Sequence, residues 1–165
     1  MKTIVRVLKS YYYTLAPFLI ASYTVLFLYV QNQHEYKVEV LVFPLVVALI
    51  FSLLVLIITK LLCRSLDKAV FLSSVIVFMC LSYGRFLELF DHLKFEIGNL
   101  EITPEIAVNT SLALFIVLIA VFIFKAKKSF VKFSQFLTVI TALLVLFQLY
   151  GIISFEISSG RIARA

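Results

Sequence analysis

No Asp, Glu, Lys, Arg or His occupies the centre of any of the five long apolar runs that make up most of this chain. Proton-coupled transport normally runs through an intramembrane relay of such groups, so a single copy is not expected to transport. Enzymatic signatures are missing as well. There is no HExxH, no GxSxG, no Walker lysine and no cluster of acids at metal-ligand spacing, and catalysis by this chain alone is not expected. The two cysteines, Cys63 and Cys80, stand in no CxxC or Cys/His spacing, so neither a metal nor another cofactor is predicted. Cys63 falls in a short basic connection and Cys80 inside an apolar run, which keeps them from meeting as a disulfide. His34 and His92 adjoin Glu35 and Asp91 in polar connections, where a histidine is most simply solvated.

What the chain has in abundance is apolar surface. Hydrophobic residues are 63% of the 165 and charged residues only 15%, against roughly 45–50% and ~25% in soluble domains. A soluble fold of this size has no interior large enough to hide that surface, whereas a bilayer does. The net charge of +6 is carried by residues that flank apolar runs, without the basic stripe and interleaved aromatics of a nucleic-acid-binding face. The expected partner is the lipid bilayer, and no nucleic acid.

The predicted fold is an all-α membrane protein, one integral domain with five transmembrane helices at about 11–30, 41–62, 69–90, 106–125 and 134–156. Each run supplies the ~20 apolar residues that cross a ~30 Å hydrocarbon core. Tyr11, Tyr12 and Tyr13 form an interfacial belt at one end of the first, and Pro17 falls in its first turns, where a missing N–H costs little. The fourth has a clear start: Thr103 as N-cap, Pro104 at the first helical position, and Glu105 against the positive end of the helix dipole. Ser22, Thr24, Ser52, Ser73, Ser74, Thr138, Thr141 and Gln148 are the polar content of the spans and suit hydrogen bonds between helices.

Charge sets the orientation. Lys2, Arg6, Lys9, Lys60, Arg64, Lys68, Lys125, Lys127, Lys128 and Lys132 fall on one side, with Asp67 as the only acid there. The other side carries Lys37, Arg85, Lys94, Arg161 and Arg164 together with the eight remaining acids. The positive-inside rule puts the first side in the cytoplasm. The N-terminus is therefore expected inside and the C-terminus outside, in a multi-pass protein of the plasma membrane.

Two features of the outer side stand out. Leu93 to Ile97 and Leu100 to Ile102 alternate apolar and charged residues around Gly98-Asn99, the pattern of a short hairpin near 93–102 with Phe95, Ile97, Leu100 and Ile102 on its apolar face. Arg85 and Glu88 lie three apart at the outer end of the third run, a spacing that lets them pair along a helix. Arg85, Glu88, Phe95 and Ile97 are the candidate contacts for a lipid headgroup or a partner.

Several phrases resemble a known family. Leu15-Ala16-Pro17-Phe18, then Phe27-Leu28-Tyr29-Val30-Gln31-Asn32, resemble a first helix ending in LFLYxxN. Arg64-Ser65-Leu66-Asp67-Lys68-Ala69, followed by Phe78 to Arg85 (FMCLSYGR), resembles a basic loop leading to FFSYGH. Together they are similar to the N-terminal membrane region of prokaryotic membrane-anchored sulfatases of the alkaline-phosphatase superfamily, a plan that lipoteichoic acid synthase shares. Arg85 stands where that family has a histidine. The family's catalytic residues lie in a domain after the last helix, and none can be carried over to this sequence. The resemblance implies a non-catalytic anchor or accessory module, an external C-terminus and an extracytoplasmic sulfatase-like partner or domain. The alternative reading is a small transporter, channel or flippase subunit that acts as a homo-oligomer.

Overall fold

The computed structural model describes residues 12–90, 95–97 and 100–159. A 3-10 turn over Tyr12–Leu15 leads into α1 (Ala16–Asn32), and a second over Val38–Leu41 leads into α2 (Val42–Cys63). Then come α3 (Leu66–Leu81), α4 (Tyr83–Phe90), strands β1 (Phe95–Ile97) and β2 (Leu100–Ile102), α5 (Pro104–Lys125) and α6 (Val131–Ser158). Four helical segments are long and apolar enough to cross a bilayer, or five if α3 and α4 count as one. These apolar helices make the chain a membrane protein. The expected first and last runs lengthen by a turn or less, to Asn32 and Ser158, because flanking polar residues still extend the helices.

The third run departs from the expectation of one continuous helix. It breaks at Ser82, and α4 turns 56° away from α3. Ser82 takes a bridge-region backbone (φ −94, ψ 4), and its N–H reaches back to the carbonyls of Phe78 and Cys80. Arg85 and Phe86 restart the helix by donating to the carbonyl of Ser82. Hydropathy does drop at Ser82-Tyr83-Gly84-Arg85 after Phe78 to Leu81, but such a drop reads equally as the end of a continuous span.

Packing is centred on α1, which contacts α2, α3 and α6. Ile20, Ala21, Ala48, Val55 and Val77 form the middle of the bundle, with Tyr13, Ala16 and Val70 toward one end and Leu26, Tyr29 and Ile152 toward the other. Small residues there let the backbones approach closely. α5 lies at the periphery, packed on α3 and α4. Large apolar side chains such as Leu61 (77% exposed) and Phe147 (70%) point outward, while Ser52, Ser73, Ser74 and Ser134 are buried. In water that arrangement would be unstable; against lipid tails it carries no penalty.

The buried hydroxyls do not chiefly join helices, as expected from their positions. Thr24 donates to the Ile20 carbonyl, Ser52 to Ala48, Ser74 to Val70 and Thr141 to Leu137, all one turn back in the same helix. Among the described buried Ser and Thr residues, only Thr59 and Thr138 also reach another element, at the carbonyls of Ala69 (3.3 Å) and Tyr13 (3.4 Å). Back-bonding satisfies most of these hydroxyls locally, Ser134 Oγ being buried without a partner among the described residues, which leaves helix association to close packing.

The remaining local signals act where the sequence puts them. Thr103 caps α5 by accepting from the Ile106 N–H at 3.4 Å, with Pro104 and Glu105 in the first turn. The tight connection from α2 to α3 is closed by Arg64 in the left-handed region (φ 55), its N–H on the Lys60 carbonyl. β1 and β2 pair antiparallel, Phe95 opposite Ile102 and Ile97 opposite Leu100. Residues 98 and 99, on which the expected turn falls, lie outside the described residues.

Candidate functional site

The connections at the two ends of the bundle are built differently. At the basic end, Asp67 in the first turn of α3, ahead of the apolar stretch, acts as a latch. Its carboxylate accepts from Ser65 Oγ, from Ser129 Oγ (2.9 Å) and from the Phe130 N–H (3.0 Å). Partial burial pushes its pKa up, but the hydrogen bonds from Ser65, Phe130, Ser129 and Lys68 outweigh that and bring it down to about 2. Beside it, Lys68 Nζ donates to the Ala126 carbonyl at 2.7 Å, a cation on the negative end of α5. Phe130 stacks on Phe71 (5.1 Å between centroids), and Phe71 meets Phe133 edge-on. The α5–α6 connection is thus pinned to α3 by one carboxylate, one ammonium and an aromatic cluster. The sequence signal for this latch was the single acid among ten basic residues, flanked by Ser65.

The opposite end carries the residues singled out from sequence. Arg85 does not pair with Glu88. Its guanidinium lies over the ring of Phe27, 3.8 Å from the centroid, a cation–π contact across helices. One of its terminal nitrogens, Nη2, is buried with no hydrogen-bond partner among the described residues. The 56° turn at Ser82 swings α4 so that Arg85 faces α1, while Glu88 stays exposed. Phe95 and Ile97 lie in β1, and residues 91–94 between them and α4 lie outside the described residues, as does His92. His34 packs edge-on against Phe155 at 4.8 Å.

Sequence reasoning missed a buried polar tie at this end. Tyr29 Oη donates to Glu156 Oε1 at 3.4 Å and lies equally near the Tyr36 carbonyl; Tyr29 and Glu156 are both buried. The contact joins α1 to α6, two residues before the latter ends. Nothing in either local sequence announces it, since the partners are 127 residues apart.

Between the ends, a groove of about 390 Å³ runs along the bundle, with α1 and α3 as its floor and α5 and α6 as its walls. Ser74 and Thr141 are its only hydroxyl-bearing lining residues besides Tyr23, and both are bonded to their own helices. Among the described residues no group of three His, Cys, Asp or Glu is placed to hold a metal ion. Cys63 and Cys80 are free thiols. No protein-family model, curated protein or solved structure matches this chain.

Proposed function

We propose that the chain is a non-catalytic, multi-pass module of the plasma membrane that anchors or assists a partner on the extracytoplasmic side. In this reading α3 and α4 together make one broken span, so that the bundle crosses five times with the basic end in the cytoplasm. The observation that carries it is the contrast between the ends. The basic connections are closed on themselves by Asp67 and Lys68, whereas the other end presents a broken helix, Arg85, the exposed Glu88 and a two-stranded hairpin containing Phe95 and Ile97. A two-stranded hairpin is marginal alone in water, so it gains from a surface to lean on. The similarity of the FMCLSYGR and LFLYVQN phrases to sulfatase membrane regions names the kind of partner: an extracytoplasmic sulfatase-like protein or domain.

Mild detergent extraction of the natively expressed, tagged chain, followed by mass spectrometry of what comes with it, tests this reading. A sulfatase-like protein recovered with the parent and lost with Glu88→Lys supports it. Recovery of a homo-oligomer alone removes the client.

The lateral groove favours one second reading, a small transporter, channel or flippase subunit assembled from several copies. Lipid or solute flux through vesicles holding only the pure protein would support that reading over the anchor.

A further inference from the structure

The groove leads by way of Tyr23 and Phe27 to Arg85 on α4. Leu144 to Phe133 on α6 is eleven residues, about 16 Å of helix, and at the other wall stand Phe115 and Ile119 of α5. At its upper rim Tyr23 packs against Phe27, 5.9 Å between ring centroids, and Phe27 carries the Arg85 guanidinium. The four residues from Tyr23 to Phe27 add about 6 Å.

The groove, about 390 Å³ and apolar along its length, admits an extended hydrocarbon chain, and the charges on α4 beyond its rim favour a lipid over a purely apolar occupant. An apolar trough at membrane depth does not hold water. Above it, Arg85 offers a buried donor with no partner among the described residues. Glu88, one turn further along α4, is exposed. A cation and an anion three residues apart, not paired with each other, match a headgroup with a phosphate and a primary ammonium in the same order.

We propose that this face binds one phospholipid of the phosphatidylethanolamine type, its phosphate on Arg85, its ammonium on Glu88 and one acyl chain between α5 and α6. The proposal rests on the bilayer-spanning reading and needs no protein partner. Arg85 supplies a charge-assisted, stacked phosphate contact, and Glu88 selects the headgroup. An exposed ion pair of that kind discriminates weakly, so the preference is modest and its direction is the diagnostic.

The test is native mass spectrometry of the purified chain, titrated with phosphatidylethanolamine, phosphatidylglycerol and phosphatidylcholine of identical acyl chains. Phosphatidylethanolamine is expected to bind about threefold more tightly than the other two. Arg85→Gln should weaken all three by roughly tenfold. Glu88→Gln should lower phosphatidylethanolamine affinity by about threefold and so erase the ethanolamine preference. Leu144→Trp, which fills the groove, should weaken all three equally, and glycerol phosphate without chains should not compete. Equal binding of the three lipids by the parent, a preference for phosphatidylglycerol, or indifference to both Glu88→Gln and Leu144→Trp overturns the proposal. The last two variants keep it falsifiable if Arg85→Gln does not fold. Lipid binding that holds while no protein partner is ever recovered would sink the anchor function and leave this site standing.

Discussion

Removing the Asp67 carboxylate should loosen the basic end more than any other single surface change. Asp67→Ala deletes the acceptor for Ser65, Ser129 and the Phe130 N–H and leaves that N–H half-buried without a partner. Hydrogen bonds to a charged group contribute ~1.5–3 kcal/mol each when buried. Asp67 is only partly buried, so about 1 kcal/mol apiece is the better scale, and the net loss is about 2–3 kcal/mol. At roughly 2–4 °C per kcal/mol for a chain of this size, the melting temperature in detergent should fall by about 5–10 °C. Loss of helical circular dichroism on heating in detergent gives the readout. The pH dependence has a definite sign. Because the folded pKa is depressed to about 2 from 3.8, the stabilisation is present above the ordinary carboxylate pKa and is lost as pH falls through about 2. The parent should therefore lose stability between about pH 4 and pH 2, and Asp67→Asn should flatten that window. An Asp67→Ala protein that melts within about 1 °C of the parent would refute the latch.

Other substitutions separate packing from lipid exposure. Ala21→Leu, at a fully buried position in the centre of the bundle, should cost about 1–3 kcal/mol by overpacking, seen as a fall in melting temperature. Leu118→Ala, on the exposed face of α5, should stay within about 0.5 kcal/mol of the parent in the same melt. Arg64→Gly relieves the left-handed backbone at φ 55 and should stabilise by about 1 kcal/mol, a rise of a few degrees. Thr103→Ala removes the α5 N-cap and should cost about 0.5–1 kcal/mol, visible as faster amide exchange at Ile106 and Ala107.

The helices were legible because lipid exposure leaves a long apolar record that needs no tertiary information. The start of α5 was legible for a different reason: Thr103, Pro104 and Glu105 act within one turn. The break at Ser82 was not, since the polar stretch Ser82-Tyr83-Gly84-Arg85 reads equally as the closing turn of one straight span. That hidden bend also misassigned Arg85. Spacing on an unbroken helix points it at Glu88, whereas the bend turns it onto Phe27, 58 residues earlier in the chain. The buried hydroxyls misled in a similar way. Their positions mark helix interfaces, but a carbonyl one turn back is always within reach, and most of them take it. Asp67 and the Tyr29–Glu156 tie depend on which connections meet in space, which no single stretch of sequence records.

The most direct test of the five-span, basic-end-inside arrangement uses single cysteines on a Cys63→Ser, Cys80→Ser background. Lys37→Cys and Lys127→Cys, both at exposed positions on opposite ends, are treated with a membrane-impermeant maleimide in intact cells. The account predicts labelling at position 37 without permeabilisation and at position 127 only after it. Labelling of both from outside would mean that α3 and α4 enter and leave on the same side, and the five-span account would be wrong.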